Sequence, residues 1–303
     1  ELVTTIDEMI INPKPDHVYW LENNNGNCTL RAAPLNINQK LQDDLLDPME
    51  SLVFTSATLT VNNSFDFIQE TLGLVDSKVD TLQVGSPFNY QDQLRVGVVN
   101  NFCQPNQHNF IDNIAGGIKE LVEANQGRSL VLFTSYSMLN KVYDRLQEQL
   151  DNLKINHLYC QGMKSRQYLI QEFKTKDKAV LLGTDSFWEG VDLPGQELSC
   201  VIIVKLPFLV PSEPLVAAKI EELDNEGSNS FFDYMIPKAV IKFKQGFGRL
   251  IRTKSDKGWV VILDNRIVNK SYGNIFLKSF PTNSQIIIND LKLKTQKIKK
   301  SQK

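Results

Sequence analysis

No apolar run in this sequence approaches the roughly 20 residues a helix needs to span a bilayer; the longest, Cys200 to Val210, is broken by Lys205 and Pro207. Cysteine is scarce, and Cys28, Cys103, Cys160 and Cys200 lie too far apart for a zinc knuckle, an iron–sulfur clamp or a dense disulfide scaffold. They read as small core hydrophobes in a chain of the reducing cytosol. His17, His108 and His157 share no ligand spacing, so no metal site is expected. The first residues lack the basic start and apolar core of a secretory signal, and the chain opens on Glu1 rather than Met, which reads as an internal segment of a longer protein. Also missing is any Gly-x-x-x-x-Gly-Lys-Ser/Thr phosphate loop, and Gly246 and Gly248 do not complete a Gly-x-Gly-x-x-Gly fingerprint. No Asp-Glu-x-His or Asp-Glu-x-Asp box follows a strand, since Asp7-Glu8 runs on into Met9-Ile10. Such a chain can stabilise charge on a nucleotide but cannot cradle its phosphates alone.

The 303 residues, 42% hydrophobic and 22% charged, describe a globular chain of at most two domains. The net charge is −2, but Lys292 to Lys303 holds six Lys and no acid, which leaves about −8 on the remainder. A nucleic-acid surface on this chain must therefore be a local groove, while the tail reads as solvated. Val18 to Glu22 and Cys28 to Arg31 flank an Asn/Gly cluster and predict a hairpin, followed by a short helix over Asn36 to Leu46. Ser51 to Thr55 predicts a strand. Further strands are expected at Leu94 to Val99, Ser129 to Phe133, Asn156 to Tyr159, Ala179 to Leu182, Cys200 to Val204 and Trp259 to Leu263. Their apolar runs barely alternate, as in parallel strands buried on both faces. Helix-length segments at His108 to Ala124, Ser137 to Leu150, Ser165 to Phe173 and Pro237 to Arg252 lie between them, so the fold class is α/β with a doubly wound parallel sheet. Ligands bind such sheets at the carboxyl ends of the strands.

Two segments stand out there. Gln245 to Arg252, at the end of the last helical stretch, places Gln245, Arg249 and Arg252 within about 60° of one another if the helix continues, opposite Val240, Phe243, Phe247, Leu250 and Ile251. Paired guanidiniums at this spacing suit a polyphosphate, and Gly246 and Gly248 suggest close approach of a backbone or ligand. An amphipathic surface helix is the plainer alternative. Gly183 to Gly195 follows a buried strand and carries Thr184, Asp185, Glu189 and Asp192, a loop able to offer N–H groups and hydroxyls to phosphates. Within it Phe187 and Trp188 read as core anchors rather than base-stacking rings. Ser135-Tyr136 after a strand and Ser56-Ala57-Thr58 are short signals, weak in isolation. Lys205 reads as a strand-end residue whose stem packs below its charge.

Taken in order, these pieces resemble the second motor lobe of a superfamily 2 helicase of the DinG/XPD group. Ser56-Ala57-Thr58-Leu59 is similar to motif III, Leu130 to Tyr136 to motif IV, Gly183 to Asp192 to motif V and Gln245 to Arg252 to motif VI. Gly85-Ser86-Pro87-Phe88, Lys205-Leu206-Pro207-Phe208 and Leu263-Asp264-Asn265-Arg266 resemble further signatures of the group. The resemblance implies two stacked RecA-like lobes with ATP and Mg²⁺ at their seam. On that basis, residues 1–60 belong to the first lobe and include motif III, 61–290 form the second lobe and 291–303 are a basic tail. Arg249 and Arg252 become arginine fingers with Gln245 as companion. Glu189, Gly190 and Asp192 contact the nucleotide. Ser135, Gly183 and Thr184 touch the backbone of single-stranded DNA or RNA. The implied partners are the strand and the first lobe of the same chain, with no membrane. Without the first lobe's phosphate loop this segment is expected to be inactive alone. Related proteins of Gram-positive bacteria often carry a 3′–5′ exonuclease, which leaves open a nucleotide-sensing module that regulates an attached nuclease. An α/β scaffold binding an acidic partner is the third reading.

Overall fold

The computed structural model describes residues 9–24, 26–74, 79–103, 107–126, 128–149, 157–188, 198–281 and 284–289. The chain groups into two compact units, Glu1–Leu82 with Phe208–Lys238, and Gln83–Pro207 with Ala239–Lys303.

In the first unit the expected hairpin forms from β1 (His17–Asn24) and β2 (Asn27–Pro34), antiparallel with Asn24 opposite Asn27. Asn36, just past the hairpin, donates to Glu222 Oε1 at 2.6 Å and accepts from Lys219 Nζ at 2.8 Å, tying the hairpin exit to the helix Pro214–Asn225. The strand expected over Ser51 to Thr55 does not form. Among the described residues the segment joins no ladder, and Leu52, Val53 and Phe54 are exposed. An apolar β run becomes a strand only against a neighbour that completes its ladder, and among the described residues none lies beside it.

The second unit is a seven-stranded parallel sheet in the order β5-β6-β4-β7-β8-β3-β9. Its strands are β3 (Leu94–Val99), β4 (Ser129–Leu132), β5 (His157–Cys160), β6 (Ala179–Gly183), β7 (Cys200–Ile203), β8 (Gly258–Ile262) and β9 (Gln285–Asn289). The central strands β4, β6 and β7 are buried at every position, which is why Val, Leu and Ile dominate them, with only small residues such as Ser129, Ala179, Gly183 and Cys200 at their ends. Strand β9 joins the far edge beside β3, in a stretch for which no strand was expected.

The longer helices beside the sheet are α1 (Phe110–Ala124), α2 (Tyr136–Gln147), α3 (Arg166–Thr175) and α4 (Ile236–Phe247). In α1, Ile114, Ile118, Leu121 and Val122 recur at helical spacing and pack into the core with Val131, Leu139 and Val142. Ser135 and Ser165 begin α2 and α3 as N-caps, accepting from the N–H groups of Met138 and Tyr168 at 3.3 Å each. Helix α4 stops at Phe247, short of the end the sequence suggested. Gly248 N–H still reaches Lys244 O at 2.9 Å, and then Leu250 N–H turns back to Phe247 O at 3.1 Å. Arg249 and Arg252 therefore lie past the helix and are not related by helical spacing.

The turn that leads on into β8 is organised by Asp256, only 3% exposed. Its carboxylate accepts from Thr253 Oγ1 at 2.6 Å, Thr253 N at 2.7 Å and Arg252 N at 2.8 Å. Gln93 binds the carbonyls of Thr253 and Asp256 at 2.8 and 2.9 Å and fixes this turn to the start of β3. Burial alone would raise the Asp256 pKa, but the Thr253 hydroxyl and the two N–H groups outweigh it and hold the group below the usual carboxylate range. Its folded pKa is lower than its unfolded one, so its contribution is complete above about pH 5 and fades as pH falls through the folded value. Asp256→Ala is expected to lower the unfolding free energy by about 2 kcal/mol at pH 7. In denaturant titrations the gap between parent and variant should narrow as pH falls through the folded pKa of Asp256.

Candidate functional site at the carboxyl edge of the sheet

Because the sheet is wholly parallel, the residues that follow each strand gather along one edge. Ser135 follows β4, Gln161 follows β5, Thr184 follows β6, Lys205 follows β7 and Asp264 follows β8.

At the centre of this edge the chain leaves β6 through a single helical turn, Asp185–Trp188, closed by Thr184 O, which accepts from Phe187 N at 2.7 Å and Trp188 N at 3.2 Å. Phe187 and Trp188 are fully buried, so both are core anchors as expected. Phe187 lies against Gly183, where a Cβ would come within 2.5 Å of the ring-bearing carbon. Trp188 donates its indole N–H to Phe133 O at 2.8 Å. Its ring covers Gly246, where a Cβ would sit 2.7 Å from two ring carbons and 3.1 Å from Leu132 Cδ1. The close approach suggested by this glycine is thus made by a tryptophan of the same unit.

Arg249 is 6% exposed and donates to the Trp188 carbonyl. Arg252, three residues on, is exposed in the turn before β8. The chain thus places one guanidinium inside the edge and the other outside it. Gln245 lies four residues before Arg249 near the end of α4, and its Oε1 is buried with no hydrogen-bond partner among the described residues. Gly183 and Thr184 are buried, with the Thr184 N–H and hydroxyl both directed at Gln161 Oε1, 2.6 and 3.1 Å away. Ser135 is exposed beside them. Glu189, Gly190 and Asp192 lie outside the described residues. Asp185, exposed, forms an ion pair with Lys242 of α4.

Toward β8, Asp264 is a buried clamp. It accepts from Leu206 N at 2.9 Å, from Arg266 N at 3.1 Å, and from the Arg266 guanidinium at 2.6 and 2.9 Å. Asn265 Nδ2 reaches Phe102 O at 2.9 Å, so this Leu-Asp-Asn-Arg segment joins the ends of β7, β8 and β3. Lys205 projects over the Phe110 ring, 5.3 Å from its centre. Burial first, then the nearby Arg266, lowers its pKa against the pull of Asp264. Among the described residues no three His, Cys, Asp or Glu side chains converge on one point.

A parallel sheet with this strand order, helices on its faces and its polar residues at the carboxyl edge is a RecA-like lobe. Residues 118–283 match the family described as the helicase C-terminal domain, and the chain belongs to that family, in its DinG/XPD branch. It is 39% identical over 298 residues to the 3′–5′ exonuclease DinG of Bacillus subtilis, covering 95% of this chain and 32% of that protein. It is 40% identical over 269 residues to the ATP-dependent DNA helicase YoaA of Haemophilus influenzae, covering 89% of this chain and 41% of that one. The chain therefore spans about a third to two-fifths of the length of these relatives. A solved XPD helicase shares the fold, with a TM-score of 0.63 at 19% identity over 86% of this chain and 46% of that one. No described helix is long and apolar enough to cross a membrane.

Sequence reasoning missed Gln161, whose only signal is its place just after an apolar strand run. The Trp188–Gly246 contact makes a direct prediction. Gly246→Ala is expected to cost about 1–3 kcal/mol through overpacking. Gly116→Ala, on the open side of α1 where a Cβ meets nothing within 4 Å, should instead stabilise by about 0.5–1 kcal/mol. Opposite shifts of the denaturant midpoint would establish the contrast.

Proposed function

We propose that this chain is the second motor lobe of a DinG-like, ATP-dependent helicase of the cytoplasm that acts on single-stranded DNA, or RNA, in repair or replication. The observation that carries the reading is the match of nearly the whole chain, at 40% identity, to a protein named as an ATP-dependent DNA helicase. In this reading residues 1–60 complete the first lobe. The unpaired apolar segment Ser51 to Thr55 fits that assignment, since it has the composition of a strand and lacks only a neighbour. Residues 61–290 are the second lobe and 291–303 a basic tail.

ATP bound at the seam supplies the phosphoryl group, and the first lobe supplies the phosphate loop and the Mg²⁺ carboxylate. This lobe contributes Arg249, Arg252 and Gln245. A guanidinium brought against the transferring phosphoryl stabilises the charge that develops on it. Arg252 is exposed on this edge, and Arg249 donates to the Trp188 carbonyl, a contact that a phosphate oxygen can take over. The buried Gln245 Oε1, without a partner among the described residues, is assigned to a donor on the nucleotide. Glu189, Gly190 and Asp192 are assigned to the nucleotide through the same resemblance. Ser135 is exposed for a phosphate of the strand, and Gly183 and Thr184 act from behind it, by burial and through Gln161. Contacts of this kind position the backbone without reading bases.

A second reading is favoured by the other relative, which is named a 3′–5′ exonuclease. In it the lobe senses nucleotide and controls an attached nuclease without unwinding. ATP hydrolysis by the full-length protein, with and without single-stranded DNA, tested beside strand separation and nuclease activity, separates the two. Stimulated hydrolysis with unwinding supports the motor, whereas nuclease activity that follows ATP occupancy without unwinding supports the sensor. Arg252→Ala in the full-length protein is expected to lower ATP turnover by about 10³-fold while the KM for ATP stays within a few-fold. Arg249→Lys should do the same more mildly, because it keeps the charge and loses the planar fork. Equal turnover in variant and parent would remove the finger assignment.

A further inference from the structure

Gln161 prolongs the β5–β6 ladder by one bond, its N–H donating to Leu182 O at 3.0 Å. Its side-chain Oε1 accepts from Thr184 N and Oγ1. A backbone N–H can only donate, so this contact fixes which end of the amide is oxygen. Nε2 then faces the other way and donates to Ser186 Oγ at 3.0 Å and to the phenol oxygen of Tyr136. One half-buried amide thus links the buried Thr184 behind β6 to two hydroxyls nearer solvent.

Tyr136 opens α2 immediately after the Ser135 cap, and it is 52% exposed. Its ring is tethered without being buried, which costs side-chain freedom and gains little desolvation. Such an arrangement suits a ring that a second planar group will cover. The neighbouring segment from Gln161 to Tyr168 leaves Met163 and Tyr168 55% and 49% exposed, includes Lys164 and Arg166 on the surface and contains no acid. The nearest exposed carboxylate after β6, Asp185, is neutralised by Lys242. In a chain whose remainder is net negative, this is a local basic patch interleaved with exposed aromatic rings. Single-strand grooves combine the same two elements, cations along the backbone and rings beneath the bases.

We propose that Tyr136 stacks on a base of the bound single strand and that Gln161 is the positioning residue that holds its ring for that contact. The proposal rests on the functional reading above and adds a base-stacking site to it.

The test is ATP hydrolysis by the full-length protein, titrated with a mixed-sequence single-stranded DNA oligonucleotide. It reads the DNA concentration for half-maximal stimulation and the turnover at saturating DNA. Tyr136→Ala is expected to raise the half-maximal concentration about tenfold. Tyr136→Phe, which cuts only the tether, should raise it about threefold with saturated turnover within about twofold of the parent, and Gln161→Leu, which also loses the Thr184 and Ser186 contacts, should raise it at least as much. The double variant Gln161→Leu with Tyr136→Phe should bind no more weakly than Gln161→Leu alone, because the tether that Tyr136→Phe removes is already lost. An unchanged half-maximal concentration in Tyr136→Ala, additive effects in the double variant, or a fall confined to turnover would each overturn the proposal. Should Gln161→Leu fail to fold, the two surface substitutions at Tyr136 still decide it. If the parent protein itself shows no stimulation, the helicase reading falls and this site with it. Stimulation in the parent with unaltered Tyr136 variants removes this site alone.

Discussion

The seating of Trp188 is the constraint on which the carboxyl edge depends. Its indole N–H is bound by Phe133 at the end of β4, its ring occupies the space that Gly246 leaves open near the end of α4, and its carbonyl receives Arg249. One buried aromatic therefore sets the mutual position of three segments that are far apart in sequence. A ring of this size contributes large apolar burial, and its single donor is satisfied, so the arrangement is both stable and specific. Any group bound near Arg249 is presented to a surface whose geometry Trp188 has already fixed.

Around that centre the edge divides into an inner and an outer layer. Gln161 and Asp264 belong to the inner layer, where each saturates backbone N–H groups of a neighbouring loop and removes its freedom. Ser135, Tyr136 and Arg252 belong to the outer layer and are open to solvent. Preorganisation of this type lets exposed groups meet a charged ligand without first paying to order the loops that carry them. The two arginines are split between the layers, Arg249 buried against the Trp188 carbonyl and Arg252 exposed in the turn before β8.

The parallel sheet was legible because strands buried on both faces must be continuously apolar, and β4, β6 and β7 are. The core role of Phe187 and Trp188 was legible for a related reason, their place at a strand end. Pairing is non-local, however, so the composition of Ser51 to Thr55 could not reveal that no described strand pairs with it. The end of α4 was missed because a 100° periodicity describes a helix face and says nothing of where the helix stops. Gly246 signalled a close approach but not by what. Gln161 carries no pattern at all, since its importance comes from which loops the topology brings within reach of one amide.

The central claim is that guanidiniums of this lobe meet the phosphoryl group of ATP held by another lobe of the same protein. A structure of the full-length protein with single-stranded DNA and an ATP transition-state mimic measures that directly. The account predicts Arg252 or Arg249 within about 3 Å of an oxygen or fluorine of the γ-phosphoryl mimic. Arg249 still bound to the Trp188 carbonyl, with Arg252 in solvent and remote from the nucleotide, would contradict it.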